Sequence, residues 1–327
     1  MDIPNKFSSV MLYHKMKEKN LSAKGLSKLS GINHRQIYRY IRGEQHPRKG
    51  VIQRLASALD VPAIHFDASH ETDSLRLSFN RRQSNLSNKK YKNIKAIFFD
   101  LDGTLAKPPV ENKTSWELVW EHLGLSVKLC RQYHGEFNRK EIDHEEWCAI
   151  TAEHFKEAKL NEASFKEIAK KAPLIEDVES TLHKLHNTGI KLGLLSGSIN
   201  SYWKEVMPER TRDLFGSEVY INVFTYNRQD GYIESITGAE YDFDGKADRL
   251  KEFSEEHNIP MEQIMFVGNS SNDEAAAKTD VISVALNPNR VDPATFKEVF
   301  EFEKSLSVIL DLIDLESAGI GSDLNAA

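Results

Sequence analysis

Long apolar runs are missing from this chain. None approaches the roughly 20 residues that cross a bilayer. The opening MDIPNKFSSVMLYHKMK also lacks the charged start and apolar stretch of an export signal. No membrane partner is expected, and a cytoplasmic location is. Cysteine is scarce: two in 327 residues, Cys130 and Cys148, without metal-type spacing. That excludes a disulfide scaffold and points to reduced thiols. There is no internal repeat and no low-complexity tract. What is present is enough length for two domains and an uneven charge. The net charge is −6, yet residues 1–67 carry 12 Lys+Arg against 5 Asp+Glu, and the remainder carries 31 against 44. A basic end on an acidic body suggests that only one end meets a polyanion.

The pattern of the basic end is helical. In LSAKGLSKLSGINHRQIYRYIRGEQHPRKGVIQRLASALDV, residues 21–61, Ser22 is placed to cap a short helix carrying Leu26 and Leu29. Gly31 breaks it. Asn33 can cap a second helix with Ile37, Tyr40 and Ile41 on one face, and Gly43 with Pro47 ends it. A last helix is expected to bury Val51, Leu55 and Ala58. Two short helices around a tight glycine turn make a helix-turn-helix. LSKLSGI, RGEQHP and VIQRLASALDVP resemble the Cro/phage-repressor (xenobiotic-response-element) family over roughly 8–66, although Ala23 stands where that family often has Gln. The resemblance implies that the second helix enters the major groove with Asn33, His34, Arg35, Gln36 and Arg39 outward. Lys24, Arg42, Arg48 and Lys49 would then touch phosphates. A domain of this type usually works as a pair, so a homodimer on an inverted repeat is expected. A protein-interaction module is the other reading.

Residues 68–94 are rich in Ser, Asn, Arg and Lys. They read as a linker, with a short strand expected at Leu75–Phe79 and Arg81, Arg82, Lys89 and Lys90 adding positive charge.

The chemistry begins at KAIFFDLDGTL, residues 95–105. An apolar strand ends in Asp100 and Asp102, two apart and therefore on one face. Two neighbouring carboxylates repel unless something offsets them, and a divalent cation with an incoming phosphate is the usual answer. FFDLDGTL resembles the first motif of the haloacid dehalogenase (HAD) superfamily. There the first Asp is the nucleophile that becomes an aspartyl-phosphate, and the second is the general acid/base. GIKLGLLSGS, 189–198, resembles the second motif, which implies that Ser196 and the N–H of Gly197 hold a phosphate oxygen. DFDGKADRL resembles the third, with Lys246 as its lysine. It follows YNRQDGYIESITG, which looks like the insertion of phosphoserine phosphatases. IMFVGNSSNDEAAAKTD, 264–280, resembles the fourth, with Asn269 and Asp273 where that branch usually has two aspartates. Asn269 offers a carbonyl and no charge, a weaker ligand for a hard cation. The implied Mg2+ set is Asp100, Asp102, Asn269 and Asp273, the last directly or through water.

Strands recur near 95, 190, 219, 263 and 281 with helices between most of them. The expected architecture is an all-α helix-turn-helix domain at 1–67, then a linker to 94. An α/β doubly wound, Rossmann-like HAD core follows at 95–315, with a flexible tail at 316–327. Residues 108–180 read as helices and resemble the cap of the phosphoserine-phosphatase-like branch. Glu111, Ser115, Trp116, Arg139 and Trp147 are the candidate cap contacts to substrate; Trp at such spacing is also a core residue. The expected activity is Mg2+-dependent hydrolysis of a small phosphorylated metabolite, tethered to DNA and able to link a metabolite to transcription. The alternatives are a metabolic phosphatase whose first domain mediates assembly, and a repressor that senses a phosphometabolite without turnover.

Overall fold

Gly31 takes φ +63°, a left-handed turn that side chains disfavour, and so ends one helix of the N-terminal unit sharply. In the computed structural model the described residues are 4, 6–19, 21, 23–41, 45–70, 91–107, 113–239, 241–289, 291–300 and 305–318. The chain divides into two compact units, Met1–Leu86 and Ser87–Ala327.

The described residues of the first unit form four α-helices: α1 (Ser9–Glu18), α2 (Ala23–Ser30), α3 (His34–Ile41) and α4 (Lys49–Leu59). Leu12, Leu26, Ile37, Leu55 and Phe66 close its core. Asn33 caps α3, its Oδ1 accepting the Arg35 N–H at 2.9 Å. Two expectations need correction. The buried face of α4 is Ile52, Leu55, Ala56 and Leu59, while Val51 and Ala58 sit on its flank. The 52, 55, 56, 59 series follows the 3.6-residue period through the stripe's centre; 51, 55, 58 runs along its edge. Leu29 is 61% exposed, so α2 is anchored by Leu26. Ser22, Gly43 and the strand expected at 75–79 lie outside the described residues.

The second unit is built on a seven-stranded sheet: β1 (Ala96–Phe99), β2 (Lys191–Ile199), β3 (Val219–Tyr226), β4 (Ile233–Thr237), β5 (Ile264–Gly268), β6 (Ile282–Leu286) and β7 (Glu298–Phe300). The order is β4-β3-β2-β1-β5-β6-β7. All pairings are parallel except β3–β4. β1, β5 and β6 are wholly buried, as strands covered on both faces must be, which is why they read as unbroken apolar runs. YNRQDGYIESITG is the turn and second strand of the β3–β4 hairpin. The chain winds outward from β1 on one side, then returns to pair β5 on the other. That reversal opens a crevice at the C-terminal ends of β1, β2 and β5. Tyr91 bonds Glu298 at 2.6 Å and Ile94 is fully buried, so the chain joins this unit before residue 95.

Between β1 and β2 come the cap helices α5 (Ser115–His122), α6 (Val127–Asn138), α7 (His144–Glu157) and α8 (Ser164–Lys171), then α9 (Val178–Asn187) back on the core. TSWE and DHEE form reciprocal capping boxes at α5 and α7. Phe224 of β3 meets Trp116, Phe155 and Phe165, so the hairpin supports the cap. The remaining helices are α10 (Asn200–Val206), α11 (Glu209–Arg212), α12 (Gly245–His257), α13 (Glu274–Ala277) and α14 (Val308–Leu312). Among the described residues no helix is long and apolar enough to cross a membrane.

Candidate active site

The end of β1 delivers Asp100 into a buried crevice. It is 3% exposed, and Lys246, from the first turn of α12, is fully buried beside it. Lys246 Nζ lies 3.2 Å from Asp100 Oδ1 and 2.7 Å from Asp273 Oδ1. Asp273 Oδ2 in turn accepts the backbone N–H groups of Asn269 and Ser270 at 2.8 and 2.9 Å. Asp273 therefore orders the loop after β5 and holds the lysine. Both its oxygens are engaged, which leaves it a water-mediated route to a cation.

Asp102 is held apart from this group. Its Oδ2 accepts the N–H and the hydroxyl of Ser115 at 2.9 and 2.6 Å, and its Oδ1 accepts the Ser198 hydroxyl at 3.1 Å. Ser115 is the first residue of α5, so the helix N-terminus and its partial positive charge face the carboxylate. The two serines also bond each other at 2.9 Å.

Electrostatics separate the groups. Burial pushes the Asp100 carboxyl up, and Asp273 and Asp102 add to that, while Lys246 and the Ser196 hydroxyl oppose it. Burial likewise raises Asp102 against the pull of Ser115 and Ser198. A carboxyl that keeps its proton closer to neutrality can give one away. Burial works against the Lys246 ammonium, but Asp100, Asp273 and Asp242 outweigh it and hold its pKa above the ordinary lysine value. Three carboxylates thus share one buried ammonium, an excess of negative charge that a divalent cation would offset.

The residues fit such an ion. Asn269 is 4% exposed and its Oδ1 is a buried acceptor with no hydrogen-bond partner among the described residues. Its amide packs on Gly103, whose φ of +84° and missing Cβ make the space. Asp100 would add a charged oxygen and Asp102 its backbone carbonyl.

Ser196 is buried and accepts the Ser198 N–H at 3.2 Å, which curls the strand end into a loop. Asn222, Ser198 and Asp242 are site residues that the sequence reading missed. Asn222, 1% exposed, donates to the carbonyls of Gly197 and Ser198 at 2.8 and 2.9 Å and fixes that loop. The second serine of SGS was a usable signal for Ser198. Nothing local marked Asn222, which reaches the loop only through β2–β3 pairing.

Of the cap candidates, Ser115 serves Asp102 and faces the core. Trp116 Nε1 donates to the Gly197 carbonyl at 2.7 Å, and its ring stacks on Trp147 at 5.8 Å. Arg139 is exposed and paired bidentately with Glu141 at 2.7 and 2.8 Å, because a carboxylate two residues away captures the planar guanidinium. Glu111 lies outside the described residues.

In the first unit Asn33, Arg35, Arg39, Arg48 and Lys49 are exposed, and His34 and Gln36 half-exposed. Lys24 belongs to α2, and Arg42 lies outside the described residues.

The sequence model of the haloacid dehalogenase-like hydrolases matches residues 94–279, and a helix-turn-helix family model matches 12–66. A phosphoserine phosphatase of Lactococcus lactis subsp. lactis (strain IL1403) is 24% identical over 223 residues, 67% of this chain and 94% of that protein. A phosphoserine phosphatase solved as a phospho-aspartyl intermediate analogue aligns with TM-score 0.52 at 19% identity, covering 68% of this chain and all of that one. A probable phosphoserine phosphatase from Vibrio cholerae aligns at 0.55 and 14%, covering 75% and 73%. These structural likenesses carry the fold.

Proposed function

The chain belongs to the haloacid dehalogenase-like hydrolases, and we infer that it is a phosphatase. On that premise we propose that it hydrolyses a small phosphomonoester through an aspartyl-phosphate on Asp100, with Mg2+, and that its helix-turn-helix domain ties this activity to DNA. The observation that carries the reading is the buried Asp100–Lys246–Asp273 chain beside a separately held Asp102.

Asp100 attacks phosphorus as the alcohol oxygen departs, and Asp102 gives that oxygen its proton. Asp102 then takes a proton from water as the water oxygen attacks phosphorus, which frees Asp100 and inorganic phosphate. Lys246 and Ser196, with the N–H of Gly197, offset charge on the phosphoryl oxygens. Mg2+ would be held by Asp100, the Asp102 carbonyl and Asn269, with Asp273 behind them, and would supply charge stabilisation at those same oxygens. Ser115 and Ser198 keep Asp102 aimed and apart from Lys246. The cap covers the site and excludes water.

The exposed, basic outer face of α3 supports DNA as the second partner. We infer a homodimer reading an inverted repeat with half-sites about 34 Å apart, a cytoplasmic location, and coupling of a phosphorylated metabolite to transcription. Asn269 favours one second reading, a DNA-bound sensor with little turnover. Phosphate release from p-nitrophenyl phosphate and a phosphometabolite panel, with Mg2+ and with EDTA, tests the first. Mg2+-dependent release, lost in Asp100→Asn, is expected. No release from any ester leaves the sensor reading.

A further inference from the structure

Asp242 sits where an anion is least expected. A Cβ built on Gly197 would lie 2.4 Å from Asp242 Oδ2, so the carboxylate packs directly on the loop assigned to phosphate. Its charge also bears on Lys246 and on Cys148 of the cap. The one described donor to this carboxylate is the N–H of the next residue, Phe243, to Oδ1 at 2.8 Å. Oδ2 has none. Phe243 takes φ +50°, a strained conformation for a bulky residue and one that tends to persist where function requires it.

Aromatic rings complete the surroundings. Trp116 donates to the Gly197 carbonyl and stacks on Trp147. Phe137 and His134 of α6 stack on Trp147 at 5.3 and 5.4 Å and reach Phe243 at 4.8 and 6.2 Å. Simple apolar closure of the cap has no use for a carboxylate with an open oxygen. A dianionic phosphate beside Gly197 would be repelled by it. One ligand class resolves both conflicts: a cation, attracted by the carboxylate and by ring faces, joined to the phosphate. A carboxylate on the same ligand would find no arginine in the cap, whose only two are paired, Arg131 with Glu117 and Arg139 with Glu141.

We propose that Asp242 is a specificity-determining residue, and that the substrate is a phosphate monoester whose alcohol carries an amine cation and no carboxylate. This rests on the phosphatase reading above. The ammonium bonds Asp242 Oδ2 under the rings of Trp147 and Phe243, and the phosphate lies between Ser196 and Lys246.

The test compares kcat/KM of the full-length protein with Mg2+ for phosphoethanolamine, phosphocholine, phosphoserine and the uncharged analogue ethyl phosphate. Wild type should prefer phosphoethanolamine, whose ammonium can donate to Oδ2, to ethyl phosphate by at least about tenfold, the worth of a hydrogen bond to a charged group. Phosphocholine, which has no N–H to donate, and phosphoserine should both trail phosphoethanolamine. Asp242→Asn should collapse the amine-to-neutral ratio towards one, and Asp242→Glu should restore part of it. Equal use of ethyl phosphate by wild type, a ratio unchanged in Asp242→Asn, or preference for phosphoserine would each overturn the proposal. If wild type hydrolyses no ester, p-nitrophenyl phosphate included, the phosphatase reading falls separately. Calorimetric binding of phosphoethanolamine against ethyl phosphate then decides the amine preference by itself: at least about tenfold tighter amine binding sustains it, and equal binding ends it.

Discussion

Ser115 Oγ lies 2.6 Å from Asp102 Oδ2, and the Ser115 backbone N–H reaches the same oxygen at 2.9 Å. The first residue of the first cap helix thus grips a carboxyl of the core. Ser115→Ala removes the shorter of the two bonds and leaves the helix terminus in place. We expect kcat to fall roughly 10-fold to 100-fold, the worth of a hydrogen bond to a charged group, with little change in KM. Steady-state kinetics check this; an unchanged kcat would remove Ser115 from the positioning of Asp102.

Asp100→Asn should abolish turnover and leave the fold intact. Lys246 keeps Asp273 at 2.7 Å, and one carboxylate leaves a site that holds an excess of them. Thermal unfolding should show a Tm equal to or above wild type. Near-normal phosphate release by the purified variant would rule out Asp100 as nucleophile.

Asn269→Asp places a charge where a buried, unpartnered oxygen now sits. Apparent Mg2+ affinity should tighten, and the Tm gain on adding Mg2+ should exceed that of wild type. In EDTA the variant should melt below wild type, because a fourth carboxylate then shares one ammonium. Superimposable Mg2+ titrations of the two proteins would place Asn269 away from the ion.

Burial pushes both thiols up to about 12 from 9.0, with Glu117 adding at Cys130 and Asp242 at Cys148. The folded state therefore favours the protonated thiol. That contribution is fully present below pH 9 and is lost as pH rises from 9 towards 12, where the unfolded chain ionises first. At pH 8 iodoacetamide should label neither cysteine in the native protein and both in urea. Native labelling at the rate of a free thiol would contradict their burial.

On the DNA side, Arg35→Ala should reduce discrimination between sequences, and Lys49→Ala should weaken all sequences alike. Binding should fall steeply with salt. Asn33→Ala, which removes the α3 cap, should lower stability of the first unit by about 1 kcal/mol. Gel shifts across a salt series and chemical unfolding measure these. A monomer in light scattering that shifts no upstream fragment at low salt would defeat the DNA reading.

Local chemistry made much of this protein legible before any fold was seen. Apolar strands buried on both faces have to be continuous runs, so β1, β2, β5 and β6 announced themselves. Asp100, Asp102, Ser196 and Lys246 lie beside strand ends or a helix start, where short-range pattern and function coincide. Asn33 capping α3 and the Gly31 turn are equally local. Tertiary structure decided everything that depends on contact between distant segments. Packing points the N-terminus of the cap helix, with Ser115, at Asp102, 13 residues away. Packing likewise sets Arg139 against Glu141. Asn222 carries no motif, and Asp242 opens DFDGKADRL without being singled out by it; pairing of β2 with β3 brings one to the Gly197 loop, and the turn before α12 brings the other. Sequence spacing determines which groups a strand end can present, but only packing determines which of them meet, and the charge balance of a buried site exists only once they have.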